Sequence, residues 1–412
     1  MLANSYTTLM PALNNHDRLT SIHNARQSLL YSGEVATIAM PGLESWIANS
    51  WQRCLTNGNR PGDVLSFDLV SAPARRRSVE ANRALIIAAA PVLAKLMRAI
   101  GDTPYFAILT NHNGVVIDAL GKINRSDRRA DLITRVGTNL SEQAIGTSAI
   151  GAALREQRPV WLHRGEHFYD SNSVYSCTGA PIFGHDGHCV GMVDLTGIEA
   201  AERPELMHLV ARAARNIENQ LTLGIAHELL LRLNWPGHRL GGDDDGLVCV
   251  DSDGLIVSAN PAARKMLPQL IPQPDQTNVQ AIHCSEIFSM SFESLFDAAM
   301  RPRSSQEDVL EVPLWSGVRL HALPLRMGHT VSFAYVPASA QFSPVSPFLS
   351  TPTISGVTDA AANASPQLKD LETALIRKAV DEARGNVMKA ARNLGISRAT
   401  VYRRLGVSVK RR

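Results

Sequence analysis

GNVMKAARNLGISRATVYRRLGV, Gly385 to Val407, is the stretch on which the reading of this chain turns. Its spacing predicts two helices joined by a tight turn. Ala391 is small enough to let two helices approach closely, and Gly395, four residues on, supplies the turn because glycine reaches positive φ without steric cost. Ile396 and Val401 supply apolar pegs between the helices. Ser397 suits the start of the second helix, where its hydroxyl accepts from an otherwise unpaired backbone N–H. Ser397, Arg398, Thr400, Tyr402, Arg403 and Arg404 then form a polar and basic set on that helix and its flanks. Arginine matches guanine edges and phosphates, and Thr and Tyr hydroxyls suit phosphate oxygens or base edges. The expected partner of this surface is double-stranded DNA. A longer helix over about 368–384 precedes it, with Leu368, Leu371, Leu375, Ile376, Ala379 and Val380 along one stripe.

Charge points the same way. Residues 367–412 carry twelve Lys or Arg against four Asp or Glu, a net of +8, while the whole chain is only +3. The remaining 366 residues are therefore at −5, and the basic surplus is local, as a phosphate backbone requires.

The order Gly385-Asn386, Ala390-Ala391, Leu394 to Arg398, Thr400, Tyr402-Arg403 and Leu405 resembles the Fis-type DNA-binding domain of bacterial regulators. The resemblance covers about the last tenth of the chain. An ordinary basic pair of helices would not need Gly, Ala and Ser at these spacings.

A length of 412 residues suggests two to four domains, and an apolar fraction of 45% is enough to build their cores. No apolar run reaches about 18 residues, so no membrane partner is expected. The first residues lack a basic start followed by an apolar core, so no secretory signal is read there. Cys54, Cys177, Cys189, Cys249 and Cys284 are scattered, odd in number and without CxxC spacing. They fit reduced thiols and a cytoplasmic location.

Along the chain, residues 1–75 read as an N-terminal helical segment, weakly patterned up to Leu43, with a short amphipathic helix from Ile47 to Leu55 ended by Asn57-Gly58. Trp46, Trp51 and Cys54 suit a small core there. A helix is expected from about Ala74 to Ile100. YFAILT and VVIDALG, joined at Asn111-His112-Asn113-Gly114, predict a hairpin. GTNLSEQAIGTSAIGAAL predicts a glycine-punctuated loop running into a helix from about Gln143, and Pro159 to His163 a strand. Thr178–Phe183 and Cys189–Thr196 predict a second hairpin turning at Gly184 to Gly187. A helix over 203–233 is expected from the stripe Leu206, Val210, Ala213, Ile217, Leu221, Ile225 and Leu229. It is long enough to cover the sheet and to pair with its copy in a dimer.

Ser50-Trp51-Gln52-Arg53-Cys54 resembles the SW-x-RC signature of acetoin-catabolism-type bacterial transcription regulators. The strings AIGTSAIG, GEHF, C-x-x-APIF and VGMVDLTG resemble the GAF sensor domain of the same regulators. This resemblance covers roughly a third of the chain and implies a GAF-like domain over 76–225 with a signalling helix at its end. A GAF cup holds a small molecule in a mostly apolar chamber with a few placed polar groups. His167, Phe168, Tyr175, Cys177 and Asp194 are the candidate ligand-binding residues. Phe168 and Tyr175 as plain core, with His167 capping a loop, is the competing reading. His163, His167, His185, His188, Cys177 and Cys189 carry metal-binding side chains, but no paired CxxC anchors a site and no metal is expected.

NWPGHRLGGDDDG marks the next expected boundary, with 226–242 as linker. GLVCVDSDGLIVSANPAARKMLP predicts strand, Asp253-Gly254 turn, strand and a helix opening at Asn260-Pro261. It is similar to the opening of a PAS domain and places a PAS-like domain over 243–337, with later strands near 308–314, 318–323 and 330–336. Nothing there specifies haem or flavin, so no cofactor is expected. Residues 338–366, rich in Pro, Ser, Thr and Ala, read as a flexible tether.

The expected fold is thus multidomain α+β: a GAF-like sheet domain, a PAS-like sheet domain and a C-terminal all-α helix-turn-helix over 367–412. Many acetoin-type regulators also carry an AAA+ ATPase that acts on the sigma-54 polymerase. No G-x-x-x-x-G-K-[ST] loop occurs in this sequence. The expectation is therefore a homodimeric DNA-binding regulator, responding to a small molecule, without ATP hydrolysis, with RNA polymerase a candidate partner. A redox enzyme of the methionine sulfoxide reductase kind, using Cys177 and Cys189, and an architectural DNA-binding protein are the alternatives.

Overall fold

The computed structural model describes residues 15–31, 43–272, 281–300 and 309–326. The expected helix-turn-helix with Ser397, Arg398, Thr400, Tyr402, Arg403 and Arg404, the tether before it and the strand expected over 330–336 lie outside the described residues. Two five-stranded antiparallel sheets organise the described chain, which is mixed α/β.

The first sheet has the order β2-β1-β5-β4-β3, from β1 (Tyr105–Asn111), β2 (Val116–Leu120), β3 (Val160–His163), β4 (Tyr175–Phe183) and β5 (Cys189–Ile198). Both expected hairpins form. At the first, the Asn111 side chain accepts from the backbone N–H groups of Asn113 and Val115, each at 3.0 Å, which closes the turn. The hairpins join edge to edge through β1 and β5, with Ile108 opposite Asp194. Strand β1 is buried along its whole length because both faces of the sheet are covered. Its odd residues, with Val193 and Leu195 of β5, pack under α4 (Arg83–Ala99) and α8 (Leu206–Leu223). Phe106, Ile108, Met192, Tyr175 and Cys177 face the other way. They lie under α2 (Ser45–Thr56), α5 (Arg128–Thr134), α6 (Glu142–Ile145) and α7 (Ala149–Glu156).

Three helix expectations are corrected. The helix expected from Ala74 to Ile100 is two, α3 (Ala72–Ala81) and α4. They part at Asn82, whose side-chain amide bonds the Ser78 carbonyl at 2.7 Å and so competes with the helical backbone. The helix expected from Gln143 is likewise broken into α6 and α7. Gly146 ends α6 at φ 66, and a Cβ there would lie 2.9 Å from the Tyr169 ring. Within the stretch expected as an N-terminal helical segment, where the pattern is weak up to Leu43, the chain forms α1 (Asn15–Arg26) continuing into a π-helical turn, Gln27–Tyr31.

The third correction moves a domain boundary. Helix α8 stops at Leu223, and Leu229–Asn234 is not its continuation but β6, the middle strand of the second sheet. That sheet runs β8-β7-β6-β10-β9, with β7 (Gly246–Val250), β8 (Ile256–Ala259), β9 (Leu310–Pro313) and β10 (Arg319–Arg326). Leu229 continues the helical stripe, but Leu229, Leu231 and Leu233 also alternate as a strand does. Pairing to Val250 on one side and Arg326 on the other satisfies the backbone of Leu229. NWPGHRLGGDDDG is therefore the β6–β7 connection rather than a boundary. Fully buried Asp245 closes it by accepting from Arg232 Nε at 3.0 Å and the Gly241 N–H at 2.7 Å.

One face of the second sheet, including Leu231, Val248 and Leu320, packs on α9 (Pro261–Met266), α10 (Cys284–Ile287) and α11 (Phe292–Met300). The other face, Leu230, Leu247 and Cys249, meets Leu223 at the end of α8. Asn260 caps α9 as its position before Pro261 predicts, accepting from the Ala263 N–H at 2.8 Å. Its amide also donates to Asn219 of α8 at 2.7 Å, so a single buried side chain joins the helix from the first sheet to the second. No described helix is long and apolar enough to cross a membrane.

Candidate functional site

Between the first sheet and α5–α7 lies a small cavity of about 30 Å³. Its walls are apolar: Ile108 from β1, Ile133 from α5, Leu140 and Ile145 around α6, Ile150 from α7, and Phe67 from the segment before α3. The polar residues His167, Tyr175, Cys177, Asp194, Thr196, Asn172 and Ser148 complete its lining. Four of the five sequence candidates therefore converge here. The fifth, Phe168, does not line the cavity. It is wholly buried behind it, edge-on to Tyr169 with ring centroids 5.0 Å apart, and belongs to the core.

Asp194 is the unusual group. It is completely buried in the middle of β5. Thr196 donates to its Oδ2 at 2.5 Å, while Oδ1 has no partner among the described residues. Burial without a cation raises its pKa to about 7, against the opposing effect of the Thr196 bond. The Thr196 hydroxyl is spent on Asp194, so the Cys177 thiol, 3.4 Å away, donates to Thr196. Burial pushes that thiol's pKa well up, with the nearby Asp194 adding to it, so in the closed cavity Cys177 stays a protonated thiol.

His167 faces the cavity as a neutral ring, since burial drives its pKa down to about 4. Its Nδ1 lies 2.9 Å from the Arg164 carbonyl. A carbonyl can only accept, so Nδ1 carries the proton and Nε2 is left as an acceptor. Tyr175 lends its ring to the wall and donates its hydroxyl to the Arg129 carbonyl at 3.3 Å. The cavity thus combines an acid that keeps its proton near neutrality with a lone-pair nitrogen.

Two devices hold the loops that carry these groups. The first is the SWQRC string. Arg53 grips Glu142 through Nε and Nη2, both at 2.7 Å, and Ser50 donates to the same carboxylate at 2.7 Å. Having given its only proton, Ser50 must accept from Thr147, 2.7 Å away, and Cys54 lies 3.9 Å from the same threonine. Ser50, Arg53 and Cys54 therefore fix both ends of the SEQAIGT turn. Trp51, with no exposed surface, donates its indole N–H to the Glu166 carbonyl at 2.9 Å.

The second device is Arg26 of α1. It donates to the carbonyls of Gly165, His167 and Phe168 at 2.8, 2.5 and 3.0 Å, and to the Asp170 carboxylate at 2.5 Å. No sequence signal marks Arg26, nor Phe67, which sits in an unpatterned loop.

The redox-pair reading fails on register. Cys177 lies opposite Thr196, but Cys189 lies opposite Phe183, six residues further along β4. That is roughly 20 Å at strand spacing. A disulfide needs Cα atoms within about 7 Å. His163 is occupied by Ser176, with Oγ 2.7 Å from Nδ1, and lies parallel to Trp161. His185 and His188 lie at the β4–β5 turn, and no group of three or more His, Cys, Asp or Glu among the described residues is arranged to hold a metal.

Comparison with known proteins gives two family matches. Residues 19–219 match MimR, N-terminal domain, and residues 367–406 match Bacterial regulatory protein, Fis family. The chain is 29% identical over 265 residues to the acetoin catabolism regulatory protein of Cupriavidus necator, covering 62% of this chain and 38% of that protein. It is 27% identical over 288 residues to the propane 2-monooxygenase operon transcriptional activator MimR of Mycolicibacterium smegmatis, covering 68% and 45%. The alignments span less than half the length of these curated relatives. Among solved structures it is similar to a chain of the E. coli DhaR(N)–DhaL complex, with 14% identity, a TM-score of 0.42, 69% of this chain and 100% of that chain covered.

Proposed function

We propose, for a chain that belongs to the acetoin- and MimR-type transcription regulators, that its hold on DNA is set by a small neutral molecule in the cavity beside Asp194. DNA contact is assigned to residues 367–406, with Arg398 and Arg403 the candidates for base edges and Ser397, Thr400, Tyr402 and Arg404 for the remaining contacts. One helix-turn-helix reads one half-site, so the acting form is a homodimer on two half-sites about one helical turn apart. In this reading the first sheet is a GAF-type sensor, and the second a PAS-type relay that needs no cofactor. The sequence has no phosphate loop, so the mode is recruitment of polymerase or repression, without ATP hydrolysis.

The orphaned Oδ1 of Asp194 carries the reading. A buried carboxyl with one unpaired oxygen has lost hydration and recovers it from a molecule held in the cavity. Kept protonated near neutrality, it suits an oxygen acceptor, while His167 Nε2 suits a hydroxyl donor. The apolar walls favour a short carbon chain between them. Carboxylates are disfavoured beside Asp194. A ketone, hydroxyketone or diol of about three to five carbons meets these chemical demands, and because it is larger than the closed cavity of about 30 Å³ it enters only as the wall gives way. Acetoin is the first probe, since the name of the Cupriavidus necator relative refers to it.

The test is footprinting of the upstream region with acetoin, then with a panel of small ketones and diols, for wild type and Asp194→Leu. A probe-dependent change in protection, lost in Asp194→Leu while basal DNA binding persists, is expected. Protection indifferent to the whole panel would overturn ligand control through this cavity.

A further inference from the structure

The cavity walls are not equally secured. Ile108, Tyr175, Cys177, Asp194 and Thr196 stand on paired strands, and opening a path between them would break sheet hydrogen bonds. Phe67 stands on a different kind of element. Residues 57–70 form a strap between α2 and α3 whose Gly62, Asp63, Val64, Ser66, Asp68 and Leu69 are exposed, Val64 at 97%. The strap is pinned at two places. The Asp170 N–H donates to the Pro61 carbonyl at 2.9 Å, and the Asn139 N–H to the Asp68 carbonyl at 3.0 Å, beside a bond from the Val70 N–H to the Gly137 carbonyl at 2.9 Å. Among the described residues, no hydrogen bond joins 62–67 to the rest of the fold. The span's own bonds, Asp63 with Arg60 and Ser66 with Asp68, stay within it. Lifting it withdraws two half-buried apolar side chains, Leu65 and Phe67, and breaks no hydrogen bond to the body.

From this contrast we infer that the strap 57–70 is the doorway of the cavity and that Phe67 is its plug, the residue that decides which molecules enter. The inference rests on the ligand-site reading of the cavity. Local openings follow the route of fewest buried contacts and broken hydrogen bonds, and here that route is the span 62–67. A ring at the door also selects by size, because each entering molecule must fit the space the ring vacates.

Cys177 makes the doorway measurable without any ligand. It lines the cavity, whereas Cys54 is buried in the same core away from the cavity lining, and Cys249 and Cys284 are fully buried in the second sheet's packing and report loosening there. The full chain is treated with methyl methanethiosulfonate at mildly alkaline pH, and modification is followed by peptide mass spectrometry. The readout is the rate at Cys177 divided by the rate at Cys54, a free thiol buried in the same first-sheet core, so a variant that merely loosens that core leaves it unmoved. Phe67→Ala should raise this ratio by roughly tenfold or more, and Phe67→Leu by less. A ratio unchanged in Phe67→Ala would overturn the doorway. Loss of the probe response in the footprint with the ratio still raised would strike only the ligand-site reading. An intact response with an unmoved ratio would strike only the doorway.

Discussion

Arg26 and His167 are 141 residues apart in the chain, yet the Arg26 guanidinium donates to the His167 backbone carbonyl at 2.5 Å. That bond makes α1 part of the site. The same guanidinium lies 5.7 Å over the Trp51 ring and is shared among three carbonyls and one carboxylate. A planar fork with several donors can serve all of them; a lysine ammonium cannot.

Arg26→Ala is expected to destabilise the fold by about 2–4 kcal/mol, since it strands buried carbonyls as well as removing packing. Arg26→Lys should recover less than half of that loss. Urea unfolding of the full chain measures both. Full recovery by lysine would mean that charge alone, not the shared fork, secures the loop.

The Asp194 contribution to stability should fall as pH rises from acid toward neutrality, opposed over part of that range by buried His167, whose pKa lowered to about 4 has the opposite sign. In the fold Asp194 keeps its proton up to about 7, while in the unfolded chain it loses it near 3.8. Between those values only the unfolded state gains a hydrated carboxylate, so unfolding releases a proton and the native state is progressively disfavoured, fully so above about 7. Glu218, buried on α8 with its pKa raised by burial to about 7, adds the same sign. The Asp194 share is on the order of 2–4 kcal/mol. Asp194→Asn should flatten the decline over that window, and an equally steep decline in the variant would refute the account.

Gly146→Ala should cost roughly 1–3 kcal/mol, because φ 66 is unfavourable for alanine and the new methyl would press on the Tyr169 ring. Thermal unfolding reads the loss. A fully stable alanine variant would show that α6 and the Tyr169 loop can shift together.

Arg398→Ala and Arg403→Ala should each weaken operator binding by about 1–3 kcal/mol where the arginine holds a base edge, and relax specificity at that position. If either holds only a phosphate, affinity should fall evenly across sequences, and the slope of log K against log salt should drop by about one. Gel-shift titrations at several salt concentrations separate the two. Affinity unchanged in both variants would remove these side chains from the interface.

Much of the site was legible because its signals are local. Asn111 with Gly114 makes a turn whatever surrounds it, Asn260 before Pro261 caps a helix on its own, and Gly395 with Ser397 marks a helix-turn-helix within a few residues. His167, Cys177 and Asp194 stood in strings that resemble those of a sensor family and Tyr175 two residues before one of them, although only the fold shows that Phe168 turns away from the cavity. Leu229 was ambiguous in principle. One leucine can satisfy a period of 3.6 and a period of 2, and pairing partners at Val250 and Arg326 settle which holds. Arg26 and Phe67 left no trace in the sequence, since their roles consist of contacts with residues about 70 to 140 positions away. The sequence by itself determined the turns and caps, because these follow from one residue's backbone preference and its near neighbours. The tertiary structure alone decided that Arg26 clamps the His167 loop, that SWQRC locks onto Glu142 and Thr147, and that the Asp194 carboxyl is left with one oxygen unpaired. Those outcomes depend on which distant segments the closed sheet brings within hydrogen-bonding reach.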